Sequence, residues 1–221
     1  MAGGSTTGAD AALAELCEKY WYPVYAFIRR TGAASDEARD LTQAFFARVL
    51  EKGYLKSATP VRGRFRSFLL GSLRHFLSNE RDWARALKRG GSLIHVPLAF
   101  DAGERRYQLE PSSDLTPERV YERRWALEVL DEALTRVAAT YVRSGREQLF
   151  KRLKPALMGD DSLSYSDLAG EMETSAGALR VAIHRLRKEF GVALRATIAE
   201  TVESSQDVDD ELRYLLGVVG R

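Results

Sequence analysis

The chain has 221 residues, 45% of them hydrophobic, enough for one or two domains with a real core; 33 basic against 31 acidic residues leave a net charge of only +2, which excludes a general polycation. A single cysteine, Cys17, excludes an internal disulfide and a cysteine-based zinc site, and it is expected to pack as a small apolar residue. No apolar run approaches the roughly 20 residues that span a bilayer, and the N-terminus lacks a basic segment followed by an apolar core, so the expectation is a cytoplasmic protein with no membrane partner.

Residues 1–9 are small and polar and are expected to be disordered. From about Asp10, Leu13, Leu16, Tyr20, Val24, Phe27 and Ile28 approximate a helical stripe, ended by Thr31 and Gly32. A second helix is predicted over 35–52, with Ser35 as cap and acids in its first turn, where the helix dipole favours them. Leu41, Phe45, Phe46, Val49 and Leu50 form its buried face, and Asp36, Glu37, Asp40, Gln43 and Arg48 are left for solvent or a partner. Gly53 and a polar connection through Pro60 follow.

The third helix, about 64–89, interleaves arginines with aromatics, and residues 62–90 carry eight basic and two acidic side chains, a net of +6. Two readings stay open. Phe65, Phe68, Leu69, Leu73, Phe76 and Leu77 are core and the arginines merely solvated; or Arg64, Arg66, Arg74, His75, Arg81 and Arg85 track a phosphate backbone while aromatics such as Trp83 stack on unpaired bases. Residues 91–117 hold Pro97, Pro111 and Pro117 without sustained period and read as an irregular linker. Thr116, Pro117 and Glu118 look like a cap with proline at the first helical position, opening a helix to about Val142; another spans 148–157, and Gly159, Asp160 and Asp161 break it.

The stretch 164–195 reads as a helix-turn-helix. Ser164 and Asp167 have capping-box spacing, Ala169 is small where two helices would meet, and Ser175 is a plausible N-cap for the second helix. Leu179, Ile183, Leu186 and Phe190 would be buried, leaving Arg180, His184, Arg185, Arg187 and Lys188 for the outer faces. Residues 175–195 carry five basic side chains and one acidic, suited to phosphate oxygens. Residues 200–221 carry six acids and two bases, with Val208, Leu212, Leu215 and Leu216 as an amphipathic face. That tail either completes the second domain's core or brings its acids to a basic DNA-facing surface and damps binding.

The fold expected is all-α, with two helical domains at 10–90 and 118–199, the 91–117 linker and the 200–221 extension. An enzyme is not expected, nor a cofactor or metal: His75, His95 and His184 are scattered and no glycine-rich phosphate loop follows a strand. A protein that grips duplex through one domain and melted strand through the other suits transcription initiation. A stand-alone helix-turn-helix regulator of duplex DNA is the alternative.

Three stretches in this order, DLTQAFFARVLE at 40–51, FRSFLLGSLRHFL at 65–77 and SYSDLAGEMETSAGALRVAIHRLRKEF at 164–190, make the chain resemble the bacterial extracytoplasmic-function sigma factors, small alternative sigma subunits of RNA polymerase. The resemblance covers about residues 10–195. It implies a region 2-like and a region 4-like domain, with core RNA polymerase and promoter DNA as partners and no catalytic chemistry. It places Asp36, Asp40, Gln43 and Arg48 toward the clamp helices of the largest polymerase subunit, and the second domain toward the flap. It places Arg64, Arg66, Arg74, His75, Arg81, Trp83 and Arg85 on the −10 element as single strand, and Ser175, Arg180, His184, Arg185, Arg187 and Lys188 on the −35 element as duplex. Where many members have an acidic pair before the leucine, this chain reads Arg39-Asp40-Leu41-Thr42, which makes Thr42 a candidate phosphosite that would restore negative charge. An anti-sigma factor and a Ser/Thr kinase are the candidate regulators.

Overall fold

The structure is a computed structural model that describes residues 19–50, 64–87, 98–109, 114–157 and 165–220, without the side chains of 80–87 and of residue 165. The expectations for residues 1–9, Leu13, Leu16, Cys17, Gly53, Pro60, His95, 159–161 and the Ser164 cap lie outside the described residues.

The fold is all-α. Among the described residues the helices are α1 (19–30), α2 (Ser35–Leu50), α3 (Phe65–Leu87), α4 (Phe100–Gln108), α5 (Pro117–Arg143), α6 (Glu147–Leu157), α7 (Tyr165–Glu171), α8 (Ala176–Ala199) and α9 (Ser205–Val219). Extended pairing among them is limited to one isolated antiparallel bridge, Arg64 with Val202. Local chemistry sets the breaks. Gly32, at φ +101°, turns the chain between α1 and α2 in a conformation that costs glycine least. Thr116 caps α5 by accepting from the Arg119 amide at 3.4 Å, with Pro117 at the first helical position. Gly145, at φ +68°, ends α5 in a Schellman pattern: its amide donates to the Val142 carbonyl and that of Arg146 to Tyr141.

Two apolar cores result. One gathers Tyr20, Tyr25, Phe45, Phe46, Leu69, Leu73 and Phe76 from α1 to α3 together with Tyr121, Trp125 and Val129 of α5, Leu194 and Ile198 of α8, and Val208 and Leu215 of α9. The other gathers Leu134, Val137 and Tyr141 of α5, Phe150 and Leu153 of α6, Leu168 and Ala169 of α7, and Leu179, Ile183 and Leu186 of α8. The long helices α5 and α8 therefore run through both, and the first core draws on both halves of the chain.

Two expectations are corrected. The 91–117 stretch is not wholly irregular: α4 lies within it, because Phe100, Gly103 and Tyr107 share one helical face that packs on α1, with Phe100 edge-on to Trp21 at 5.3 Å between ring centres. Leu216 is not part of the buried face of the tail. It is 59% exposed, while Val208 and Leu215 enter the first core. No described helix is long and apolar enough to cross a membrane.

Candidate nucleic-acid interface

The helix-turn-helix forms as a unit. The Thr174 amide donates to the Ala169 carbonyl at 2.9 Å and the Glu173 amide to Gly170 at 3.1 Å, a Schellman stop for α7 in which Glu173, at φ +49°, holds the left-handed position usually given to glycine. Ser175 then starts α8, its hydroxyl accepting from the Ala178 amide at 3.1 Å. Leu168 and Ala169 of α7 share the second core with Leu179, Ile183 and Leu186 of α8. Ala169 is buried, so its small side chain sits within that junction.

With Leu179, Ile183 and Leu186 turned inward, Arg180, His184 and Lys188 follow one another at i, i+4 and i+8 on an exposed face, and Arg185 is exposed beside them. Arg187 differs. It is exposed but donates to the Ala156 carbonyl near the end of α6 at 3.1 Å, so part of its role is to hold α8 against α6. Ser175 is exposed, with its hydroxyl engaged in the cap.

The basic stripe of α3 meets a different fate. Arg66, expected on single-stranded DNA, is only 5% exposed. Its Nε donates to Glu211 Oε1 at 2.9 Å, and its guanidinium lies 4.7 Å from the Trp125 ring centre and 4.1 Å from that of Tyr214. Burial is the largest influence and works against its charge, but the hydrogen bonds to Glu211 and the Glu211 charge, with Tyr214 and Tyr121, together outweigh it, so its pKa is raised. Arg66 is thus an interior ion-pair residue, which corrects the expectation, and the physical reason is a register in which Arg66, Leu69, Leu73 and Phe76 share the inward face of α3. Arg64 also pairs with Glu211, Nε to Oε2 at 3.1 Å, and its Nη2 is 3.6 Å from Asp210. Arg74 is exposed but bound to Glu118 at 2.8 Å, and His75 is exposed against Asn79. The side chains of Arg81, Trp83 and Arg85 lie outside the described residues.

Phe65 and Phe76 of α3 are not free stacking faces. Phe65 meets Tyr20 edge-on at 5.0 Å, and Phe76 is buried 5.6 Å from Phe45. Burial, acting first, and the nearby Glu211 charge push the Tyr20 hydroxyl up to about 12, against the hydrogen bond from Trp125. On α2, Asp36 and Asp40 are exposed one helical turn apart, with Gln43 and Arg48 half-buried. Thr42 is fully buried and its hydroxyl donates to the Ala38 carbonyl at 2.7 Å. A kinase needs that hydroxyl at the surface, so the structure speaks against Thr42 as a phosphosite.

The sequence reading missed two features. Glu211 follows Val208 by three and precedes Leu215 by four, an acid on the apolar face of α9 and therefore a sign of a buried partner. Glu104 of α4 is the other, accepting from the Tyr25 hydroxyl and from Arg29 Nε and Nη2 at 3.1 and 3.0 Å. No cluster of three or more potential metal ligands occurs among the described residues. Compared with known proteins, the chain matches no family model, no curated protein and no solved structure.

Proposed function

We propose that this chain is an alternative sigma factor of the extracytoplasmic-function kind, which binds core RNA polymerase and directs promoter recognition, DNA melting and initiation. The observation that carries this reading is the exposed basic face of α8, with Arg180, His184, Arg185 and Lys188 presented by a capped helix-turn-helix. A helix set this way enters the major groove, its basic side chains meeting phosphates and base edges. The acidic exposed pair Asp36 and Asp40 on α2 suits a polymerase surface of opposite charge, and the resemblance over 40–51, 65–77 and 164–190 links the two halves in one role.

The test is transcription from candidate promoters with purified core polymerase, with and without the chain. Transcripts that require both are expected. The burial of Arg66 favours the second reading, a stand-alone regulator of duplex DNA, because a buried guanidinium holds no strand. That reading predicts sequence-specific duplex binding with no polymerase and no transcript start that depends on the chain.

A further inference from the structure

Between α4 and α5 lies an open groove of about 570 Å3, with Arg105 and Arg106 on one wall and Arg123 and Arg124 on the other. Leu109, 84% exposed, and the half-buried Leu127 add an apolar lip. Register explains the gathering. With Phe100 and Gly103 of α4 turned inward and Trp125 and Ala126 of α5 in the core, each pair of arginines emerges on the flank of its helix that faces the other. Arg106 is held in place: its guanidinium lies 4.2 Å from the Tyr22 ring centre and pairs with Glu128. Arg124 is half-buried, 6.0 Å from the same ring centre.

The neighbouring acids, Glu128 apart, are committed elsewhere. On α4, Asp101 pairs with Arg39 at 2.8 Å and Glu104 with Arg29 at 3.0 Å. On the first turns of α5, Glu118 pairs with Arg74 at 2.8 Å and Glu122 lies 3.6 Å from Arg66. Arg105 and Arg123 are exposed and make no ion pair among the described residues. A concave wall of one sign focuses its potential, and a guanidinium fork fits phosphate oxygens two at a time. The volume falls within the roughly 300–1,000 Å3 of small-ligand sites. A single strand is a poorer fit. Such strands are held by stacking on exposed aromatic faces, and among the described residues none lines this groove, Tyr22 being buried under Arg106.

We propose that the α4–α5 groove binds a nucleoside polyphosphate: Arg105 and Arg123 take phosphate oxygens from opposite walls, and the nucleoside lies against Leu109 and Leu127. The apolar lip separates this ligand from an inorganic anion, which has nothing to place there. Because the ligand bridges two helices of the folded chain, its binding raises thermal stability. The site shares no residue with the basic face of α8 or the acidic pair of α2, so it stands whether or not the chain is a sigma factor.

Fluorescence anisotropy of ATP and of GTP carrying a dye on the ribose, titrated with the full chain at physiological salt, tests this. Unlabelled ATP, GTP, AMP, tripolyphosphate and a single-stranded oligonucleotide serve as competitors. Saturable binding of at least one labelled nucleotide is expected, with AMP and tripolyphosphate each competing about tenfold less well. Arg105→Ala and Arg123→Ala should each weaken binding about tenfold, the loss of one charge-assisted contact, and leave the melting temperature of the free chain unchanged. Arg105→Lys with Arg123→Lys, which keeps the charge but not the fork, should fall between. Leu109→Ala should weaken the nucleotide and leave tripolyphosphate unaffected, and Arg143→Ala, exposed at the far end of α5, should change nothing. No saturable binding of either nucleotide, or binding indifferent to Arg105→Ala with Arg123→Ala, overturns the proposal. Tripolyphosphate competing as well as the nucleotides overturns the nucleoside assignment, and an oligonucleotide that competes better than both makes the groove a nucleic-acid surface instead.

Discussion

Arg66 and Glu211 are 145 residues apart in the chain and meet inside the protein, Nε to Oε1 at 2.9 Å, with both side chains almost wholly out of water. Removing either partner leaves the other without its main ion pair, Arg66 with only Glu122 at 3.6 Å and Glu211 with only Arg64 at 3.1 Å, so Arg66→Met or Glu211→Leu alone should cost about 3 kcal/mol. The pair Arg66→Met with Glu211→Leu should recover most of that loss, since two apolar side chains need no partner there. Urea unfolding of the four chains checks this, and additive losses in the double variant would show that the two residues do not act on each other.

A close approach of α4 to α1 is open to a one-atom test. A Cβ at Gly103 would collide with the Trp21 ring, whereas one at Gly71, in the exposed middle of α3, meets nothing within 4 Å. Gly103→Ala should therefore destabilise by about 1–3 kcal/mol through overpacking. Gly71→Ala should stabilise by about 0.5–1 kcal/mol, because alanine loses less backbone freedom in a helix. Thermal melts that moved in the same direction for both would contradict the packing described.

On α8, the exposed and the engaged basic residues should separate experimentally. Arg180→Ala and His184→Ala are expected to weaken specific duplex binding by about 1–3 kcal/mol if they contact bases. Lys188→Ala should weaken binding evenly across sequences and reduce the salt slope by about 1, the mark of one lost phosphate contact. Arg187→Ala should chiefly lower the melting temperature, because its contact with Ala156 joins α8 to α6. Glu173→Gly, which relieves a left-handed backbone at φ +49°, should stabilise the motif by about 1 kcal/mol without altering specificity.

Acid should loosen the junctions held by Glu104 and Glu200. The hydrogen bond from Arg136, which outweighs burial, holds the Glu200 carboxyl below its usual pKa of 4.5. At Glu104 burial is the largest influence and raises the pKa, but hydrogen bonds from Tyr25 and Arg29 together carry it below the usual value. A pKa depressed in the folded state adds stability that is present above the unfolded value and lost as pH falls through the folded one. The melting temperature should thus hold between pH 7 and about 5 and fall below 4.5. In Glu200→Gln that fall should be shallower, with a lower starting point; an unchanged acid limb would remove Glu200 from the account.

Much of this protein was legible in residue order alone. The start of α5 followed from Thr116 and Pro117, and that of α8 from the Ser175 cap and the spacing of Leu179, Ile183 and Leu186, since caps and apolar periods are local signals that need no distant partner. The exposed basic face of α8 followed from the same register. What escaped was the disposition of charges on helices with two plausible environments. Arg64, Arg66 and Arg74 looked alike in the sequence, but one became interior, one was tied to the tail and one to Glu118.

Helical content, the turn of the helix-turn-helix and the basic sign of its outer face were determined by the sequence itself, because each depends on side chains within a few positions of one another. Only the tertiary structure decided that α4 docks on Trp21, that Thr42 is sealed in, and that Glu211 claims Arg64 and Arg66. Those outcomes depend on which faces of distant segments meet, where burial makes a missing partner expensive and a single carboxylate can decide whether an arginine faces solvent or the core.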